Sequence, residues 1–153
     1  MKEDNSLFDT ELSNEELNIR NRIIYEDLNT NDKIFIINKD IKNSRLLFSI
    51  VDNYNFDDGD ECDIFECILN HKFISISVLY LMLDLLGVIS YLCEKSEIST
   101  SMDKDYYKIV NEIKKKFILK KYMNDTIGFK IKLSKIQEYK IKRFHKEWTD
   151  FIF

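Results

Sequence analysis

Residues 73–93 read FISISVLYLMLDLLGVISYLC, a run of 21 residues that is almost wholly apolar and carries one acid, Asp84, near its middle. Its length suits a helix that crosses a bilayer, and equally the buried centre of a helical protein. The run itself favours the second reading. Asp84 would sit at the bilayer centre at a cost of about 2.5 to 3.5 kcal/mol. Ser75, Ser77 and Ser90 dilute the run, and no basic cluster flanks either end closely. The stretches on both sides are amphipathic, and each has an apolar stripe that must find a surface to cover. The run is therefore expected to be the central helix of a bundle and not a membrane span. Asp84 and Gly87 would mark where the helix approaches or leaves the surface.

Toward the N-terminus, SNEEL at 13–17 carries Ser13 with Glu16 three residues on, the pattern of a capping box, and Leu17, Ile24 and Leu28 share a helical stripe. A first helix over 13–29 follows, behind a flexible polar leader at 1–12. Asn31 and Asp32 are cap residues for a second helical stretch in which Ile34, Ile37, Ile41, Phe48 and Val51 recur, although IFII alone also suits a strand. DDGDE at 57–61 breaks the pattern, and CDIFECILN at 62–70 resumes it as a short helix. Toward the C-terminus, SEISTSMDKD at 96–105 reads as a loop leading to an N-cap near Ser101. Beyond it Tyr106, Ile109 or Val110, Ile113 and Phe117 line up at helical spacing to about residue 122. After a turn at NDTIG, 124–128, Leu133, Ile136, Phe144, Trp148, Phe151 and Ile152 fall on one side of a helical wheel, with most lysines on the other. Strict alternation in FKIKL, 129–133, allows a short strand. The expected fold is all-α, a single helical domain over 13–153 with about six helices, the hydrophobic one at its centre.

A chain of 153 residues is long enough for one domain with a real core and too short for two ordinary ones. Hydrophobic residues at 44% and charged residues at 33% place it among folded proteins. Its three cysteines form an odd set, and the N-terminus lacks the basic and apolar regions of a signal peptide, so a reducing, intracellular location is expected. The net charge of -4 is unevenly spread: residues 1–76 hold 8 basic against 17 acidic side chains, and residues 77–153 hold 15 against 10. Two oppositely charged solvated faces account for this most simply. A basic C-terminal half could also favour nucleic acid, anionic lipid or an acidic partner.

Candidate sites are few. NFDDGDECDIFE, 55–66, has the carboxylates of a calcium loop, but Gly59 stands where a ligand should be and Asp60 where the glycine should be. A solvated acidic turn that caps the next helix is the better account. Cys62, Cys67, His71 and the more distant Cys93 could supply zinc ligands, but the first spacing is not that of a zinc finger and small thiols are common in cores. His71 and His145, the two histidines, lie on unrelated segments without a triad, and no glycine-rich phosphate loop exists. No cofactor, metal or catalytic residue is expected. Between Lys104 and Lys146 lysines interleave with Tyr106, Tyr107, Tyr122 and Tyr139, and Trp148 follows, a pattern that would suit single-stranded nucleic acid were the aromatic rings not needed for the core.

IFIINKDIKNSRLLFSIVDNYNFDD, 34–58, resembles the second-helix region of the poxviral Bcl-like proteins that block innate immune signalling. LGVISYLCEKSEIS, 86–99, is similar to their stretch after the central helix, and YYKIVNEIKKKFILKKY, 106–122, sits where their next helices do. The resemblance covers roughly residues 20–122. The chain has no Ala and no Pro, a bias against GC-rich codons that suits a poxvirus among other AT-rich sources. The resemblance implies a non-enzymatic protein of the host cell cytoplasm that binds host signalling or apoptosis proteins. That no apolar anchor follows Phe153 agrees with this expectation. The Trp-Gly-Arg signature of cellular members, whose Arg pairs with an Asp of a bound death-motif helix, corresponds to Leu86, Gly87 and Val88 here, so inhibition of the NF-κB pathway is favoured over binding of pro-death helices. Phe48, Val51, Tyr54 and Leu86 are expected to edge a partner groove where they are not simply core. A homodimer is compatible with the resemblance, because poxviral relatives often pair. The segment 124–153 extends past the short poxviral relatives.

Overall fold

Gly87 divides the apolar run. In the computed structural model, which describes residues 11–153, the glycine takes a left-handed backbone (φ 70°) and separates helix Ile76–Leu85 from helix Val88–Leu92. The longer piece spans about 15 Å, half of a bilayer core. Among the described residues no helix is long and apolar enough to cross a membrane. Asp84 and Leu85 are exposed at the end of the longer helix, so the chain leaves the core where expected, but the central helix is shorter than the run that encodes it.

Ten α-helices pack into one all-α bundle among the described residues. They are α1 Asn14–Tyr25, α2 Thr30–Asp40, α3 Ser44–Asn53, α4 Glu61–Leu69, α5 Ile76–Leu85, α6 Val88–Leu92, α7 Ile98–Ser101, α8 Lys104–Ile118, α9 Lys135–Phe144 and α10 Thr149–Ile152. Short 3-10 turns at Phe56–Asp58 and Lys146–Trp148 precede α4 and α10. α5 lies against α3, α6 and α8, and α4 bridges α2 and α8. Val78, Leu79, Met82 and Leu83 of α5 are fully buried, in one core cluster with Leu47, Ile50, Phe65, Ile68 and Ile113.

The Ser13 capping box forms as expected, with the Ser13 hydroxyl accepting the Glu16 N–H and the Glu16 carboxylate accepting the Ser13 N–H. The second stretch differs. Asn29, not Asn31 or Asp32, caps α2, and a new cap at Asn43 starts α3, so Ile37 and Phe48 lie on separate helices. IFII is helical. Another short helix, α7, occupies the expected loop, and Asp103 rather than Ser101 caps α8. The expected leader falls on residues 1–10, outside the described residues, and on Glu11 and Leu12, of which Leu12 is buried against the core.

The C-terminal segment departs most from expectation. Residues 124–133 form no strand and no helix, yet their alternation is real. Ile127, Phe129, Ile131 and Leu133 turn inward while Gly128, Lys130 and Lys132 face out. The segment lies extended on the bundle, tied by a single parallel bridge between Ser75 and Met123 and by Phe129 against Phe48, ring centroids 5.6 Å apart. On α9 the buried residue is Ile141, whereas Ile136, expected on the apolar side, is 67% exposed. The expected wheel ran one helix through 133–152, and the break at His145 shifts the register.

Candidate functional site

The residues expected to edge a groove are placed mostly inside. Phe48 and Val51 are each 1% exposed and belong to the core. The Tyr54 hydroxyl donates to Asp60 and accepts from the Lys33 ammonium, 3.0 Å away. Leu86 is half-buried at the end of α5. The four do not line a common opening. Val88 is fully buried.

The acidic turn already holds a cation of the chain. Lys33 is 3% exposed and its Nζ lies 3.0 Å from Asp60 Oδ2 and 3.1 Å from Asp58 Oδ2. Burial alone would raise the Asp60 pKa, but hydrogen bonds from Tyr54, Lys33 and Thr30 outweigh it and hold the carboxyl below its usual range. Cys62, Cys67 and His71 do not converge, and among the described residues no three Cys, His, Asp or Glu side chains are placed to hold a metal. His71 is a packing residue: its Nε2 donates to the Ile37 carbonyl at 3.1 Å and its Nδ1 accepts the Phe73 N–H at 3.1 Å.

A concave surface lined by aromatic rings lies where α8 ends. A cleft of about 520 Å³ is bounded by Tyr80 of α5, Phe117 and Ile118 of α8, Tyr122, and Phe151 and Phe153 at the C-terminus. Phe117 is its hub. Its ring centroid is 5.1 Å from Tyr80, 5.7 Å from Tyr122 and 5.0 Å from Phe151, on which it stacks with planes 7° apart. The Tyr80 hydroxyl donates to the Phe151 carbonyl and fixes the C-terminal helix against α5. Burial, then the neighbouring Tyr122, raise the Tyr80 pKa, so the phenol stays protonated as a donor. A second cleft of about 360 Å³ shares Tyr80 and Phe153 and runs on along Ile131 and Leu133 of the extended segment.

Apolar side chains stand open around this surface: Ile118 is 61% exposed, Leu119 59% and Phe153 47%. The rim carries Lys114 and Lys120 against Glu147 and Asp150. Lys120 is also the one non-glycine residue with positive φ among the described residues, at 52°. It stands just past α8, where the Lys121 N–H donates to the Lys116 carbonyl and the Lys120 N–H to the Phe117 carbonyl, a closing motif in which glycine is the usual residue. Keeping lysine in a left-handed conformation costs stability, and such strained positions gather at binding sites. The arrangement offers aromatic faces and a charged rim, which is the chemistry of holding an apolar segment.

The sequence pattern does not single out Tyr80, Ile118, Lys120 or Phe153, and it places Phe117 and Phe151 on apolar stripes. Phe117 and Phe151 are indeed partly spent on packing. The signal for exposure was the run FIL at 117–119, since three consecutive apolar residues on a helix cannot all face one core. No family model, curated protein or solved structure matches the chain.

Proposed function

We propose that this chain is a non-enzymatic protein-binding module that holds an amphipathic helix of a partner in the aromatic cleft at the end of α8. The observation that carries the reading is the run of open apolar side chains, Ile118, Leu119 and Phe153, beside a cleft whose floor is the stacked pair Phe117 and Phe151. Aromatic residues that line a depression and are ringed by charge are the usual anchors of protein interfaces. Lys114 and Lys120 on the rim favour a partner helix with acidic flanks. The resemblance of residues 20–122 to poxviral Bcl-like proteins makes the particular proposal an inhibitor of innate immune signalling on the NF-κB pathway, acting in the host cell cytoplasm. The bundle built around α5 is consistent with that resemblance.

The test is purification of the tagged chain from stimulated mammalian cells, with nuclease treatment and a moderate-salt wash, beside an Ile118→Glu, Phe153→Glu variant. Both residues are exposed, so the variant should fold. Recovery of NF-κB adaptor or kinase-complex proteins by the parent and their loss with the variant is the expected result. Pro-death Bcl proteins in their place would select the apoptotic branch. Partners that vanish with nuclease would instead make the basic C-terminal half a nucleic-acid surface. Retention of the same partners by the variant would remove the cleft from the proposal.

A further inference from the structure

Helix α9 turns a face without an acid to solvent. Ser134 caps the helix through a capping box with Gln137, and the helix lies against α6. Ile141 is buried and Gln137, Glu138 and Phe144 are half-buried, so one side of α9 is spent on the bundle. The other six side chains, Lys135, Ile136, Tyr139, Lys140, Lys142 and Arg143, are exposed. At about 100° per residue they share one broad arc of the helix.

Local helix chemistry explains part of this charge. Lys142 and Arg143 stand in the last turn, where the helix dipole favours cations. Lys135 opens the first turn, where the dipole disfavours them, and Lys140 lies between. From Lys130 to Lys146 the sequence holds seven basic side chains and a single acid, Glu138. Among the described residues none of the seven forms an ion pair. Lys142 Nζ lies over the Phe153 ring, 5.0 Å from its centroid, and Glu147, the next acid along the chain, is 3.9 Å from Lys114 of α8. The chain leaves these cations unneutralised.

Two apolar side chains stand among them. Ile136 is 67% and Tyr139 60% exposed, about one turn apart, and Arg143 Nη1 donates to the Tyr139 hydroxyl at 2.8 Å. A single open apolar residue is ordinary. A pair on a cationic face without an acid calls for a partner that takes both kinds of group. A nucleic-acid strand would use the cations and the Tyr139 ring, but aliphatic Ile136 stacks on no base. The surface of an anionic bilayer uses every group on the face. Its headgroups attract the cations, a phenol sits at headgroup level, and an isoleucine reaches the acyl boundary.

We propose that α9 is a peripheral docking helix for an anionic bilayer surface, lying along it with Ile136 and Tyr139 toward the lipid and Lys135, Lys140, Lys142 and Arg143 among the headgroups. The chain as a whole carries a net charge of -4, so attraction is confined to this basic end and sets the orientation. The contact needs no spanning helix and does not depend on what the aromatic cleft holds.

The test is co-sedimentation of the full chain with vesicles of phosphatidylcholine, alone or with about 30% phosphatidylserine, beside an anisotropy titration of a labelled oligothymidylate of about 20 nucleotides. Binding to the phosphatidylserine vesicles alone is expected, weakening about tenfold between about 0.05 and 0.3 M salt. The double change Lys135→Gln, Lys140→Gln should weaken it by about twentyfold, and Ile136→Asn by about fivefold with the salt dependence unchanged. All three positions are exposed, so the variants should fold. The proposal is overturned by no binding to the phosphatidylserine vesicles, by equal binding to both kinds of vesicle, or by binding that the variants leave unchanged, which would move the contact to another face. An oligonucleotide complex in place of vesicle binding, insensitive to Ile136→Asn, would overturn it in favour of a nucleic-acid surface.

Discussion

The carboxylate of Asp125 accepts the backbone N–H of Ser77 at 3.1 Å, from 48 residues further along the chain, and so caps α5. The local N-cap residue, Ser75, makes no side-chain capping bond to the helix. The other Asp125 oxygen accepts the Ser77 hydroxyl at 2.7 Å and the Ile127 N–H at 2.8 Å. One side chain thus closes the central helix and fastens the extended segment that lines the second cleft.

Asp125→Ala is expected to cost about 1 to 3 kcal/mol in urea denaturation and to speed amide exchange at Ile127 and Phe129. Burial alone would raise the Asp125 pKa, but the bonds from Ser77 and Ile127 outweigh it and leave the pKa lowered. A lowered carboxylate contributes stability that is complete above the unfolded value, about 4, and is lost as pH falls through the folded value. The variant should therefore show a shallower loss of stability below pH about 4 than the parent. Equal slopes would mean that the capping contact is energetically silent.

Lys33→Met should be among the more damaging substitutions, because it leaves Asp60, whose side chain is only 11% exposed, without its cation. Breaking a buried pair costs about 3 kcal/mol or more. Replacing Asp60 by Asn in the same chain should recover part of that loss, and a denaturation cycle over the four proteins would read the coupling.

His71 makes a prediction of opposite chemistry. Burial lowers its pKa, with Lys72 and Lys42 adding to the effect and the bond to the Ile37 carbonyl opposing it. For a base with a lowered folded pKa the unfolded state binds protons first. Stability is therefore complete above about pH 6.5 and falls as the solution is acidified toward the folded pKa, by at most about 1.4 kcal/mol per pH unit. His71→Gln should destabilise at pH 8 yet flatten the slope between pH 7 and 5. An unchanged slope would assign the acid sensitivity elsewhere.

The fold class was legible because it rests on period and burial. The run 73–93 is apolar all round, and only a bundle core or a bilayer takes such a helix. The Ser13 cap and the inward positions of α8 follow local rules that tertiary packing does not override. What escaped was decided at a distance. Nothing local says that Gly87 will adopt a left-handed turn and cut the run in two, or that Asn43 will restart a helix which the spacing of Ile37 and Phe48 allows to continue. The cleft was hidden for the same reason, since Tyr80, Phe117 and Phe153 come from three separate segments.

The register of the C-terminal helix can be checked directly. Ile141 is fully buried and Ile136 is 67% exposed. Ile141→Ala should cost about 2 to 4 kcal/mol, and Ile136→Ala less than about 0.5 kcal/mol. Similar losses at both positions would restore the single apolar face that the sequence pattern suggested.

Lys120 sets stability against binding. Its left-handed backbone is unfavourable for lysine and free for glycine, so Lys120→Gly should stabilise the chain by about 1 kcal/mol, read as a rise in the urea midpoint at constant slope. The same change removes a charge from the rim of the cleft. If the cleft binds acidic-flanked helices, partner recovery should fall while stability rises, the trade expected of a residue kept for function. A stabilised variant that still recovers its partner in full would show that Lys120 is tolerated strain and that the aromatic floor alone supplies the binding. Lys120→Asn separates the two effects further, because asparagine accepts the left-handed region yet carries no charge. It should bind as weakly as the glycine variant if charge matters, and as well as the parent if only the side chain's bulk does.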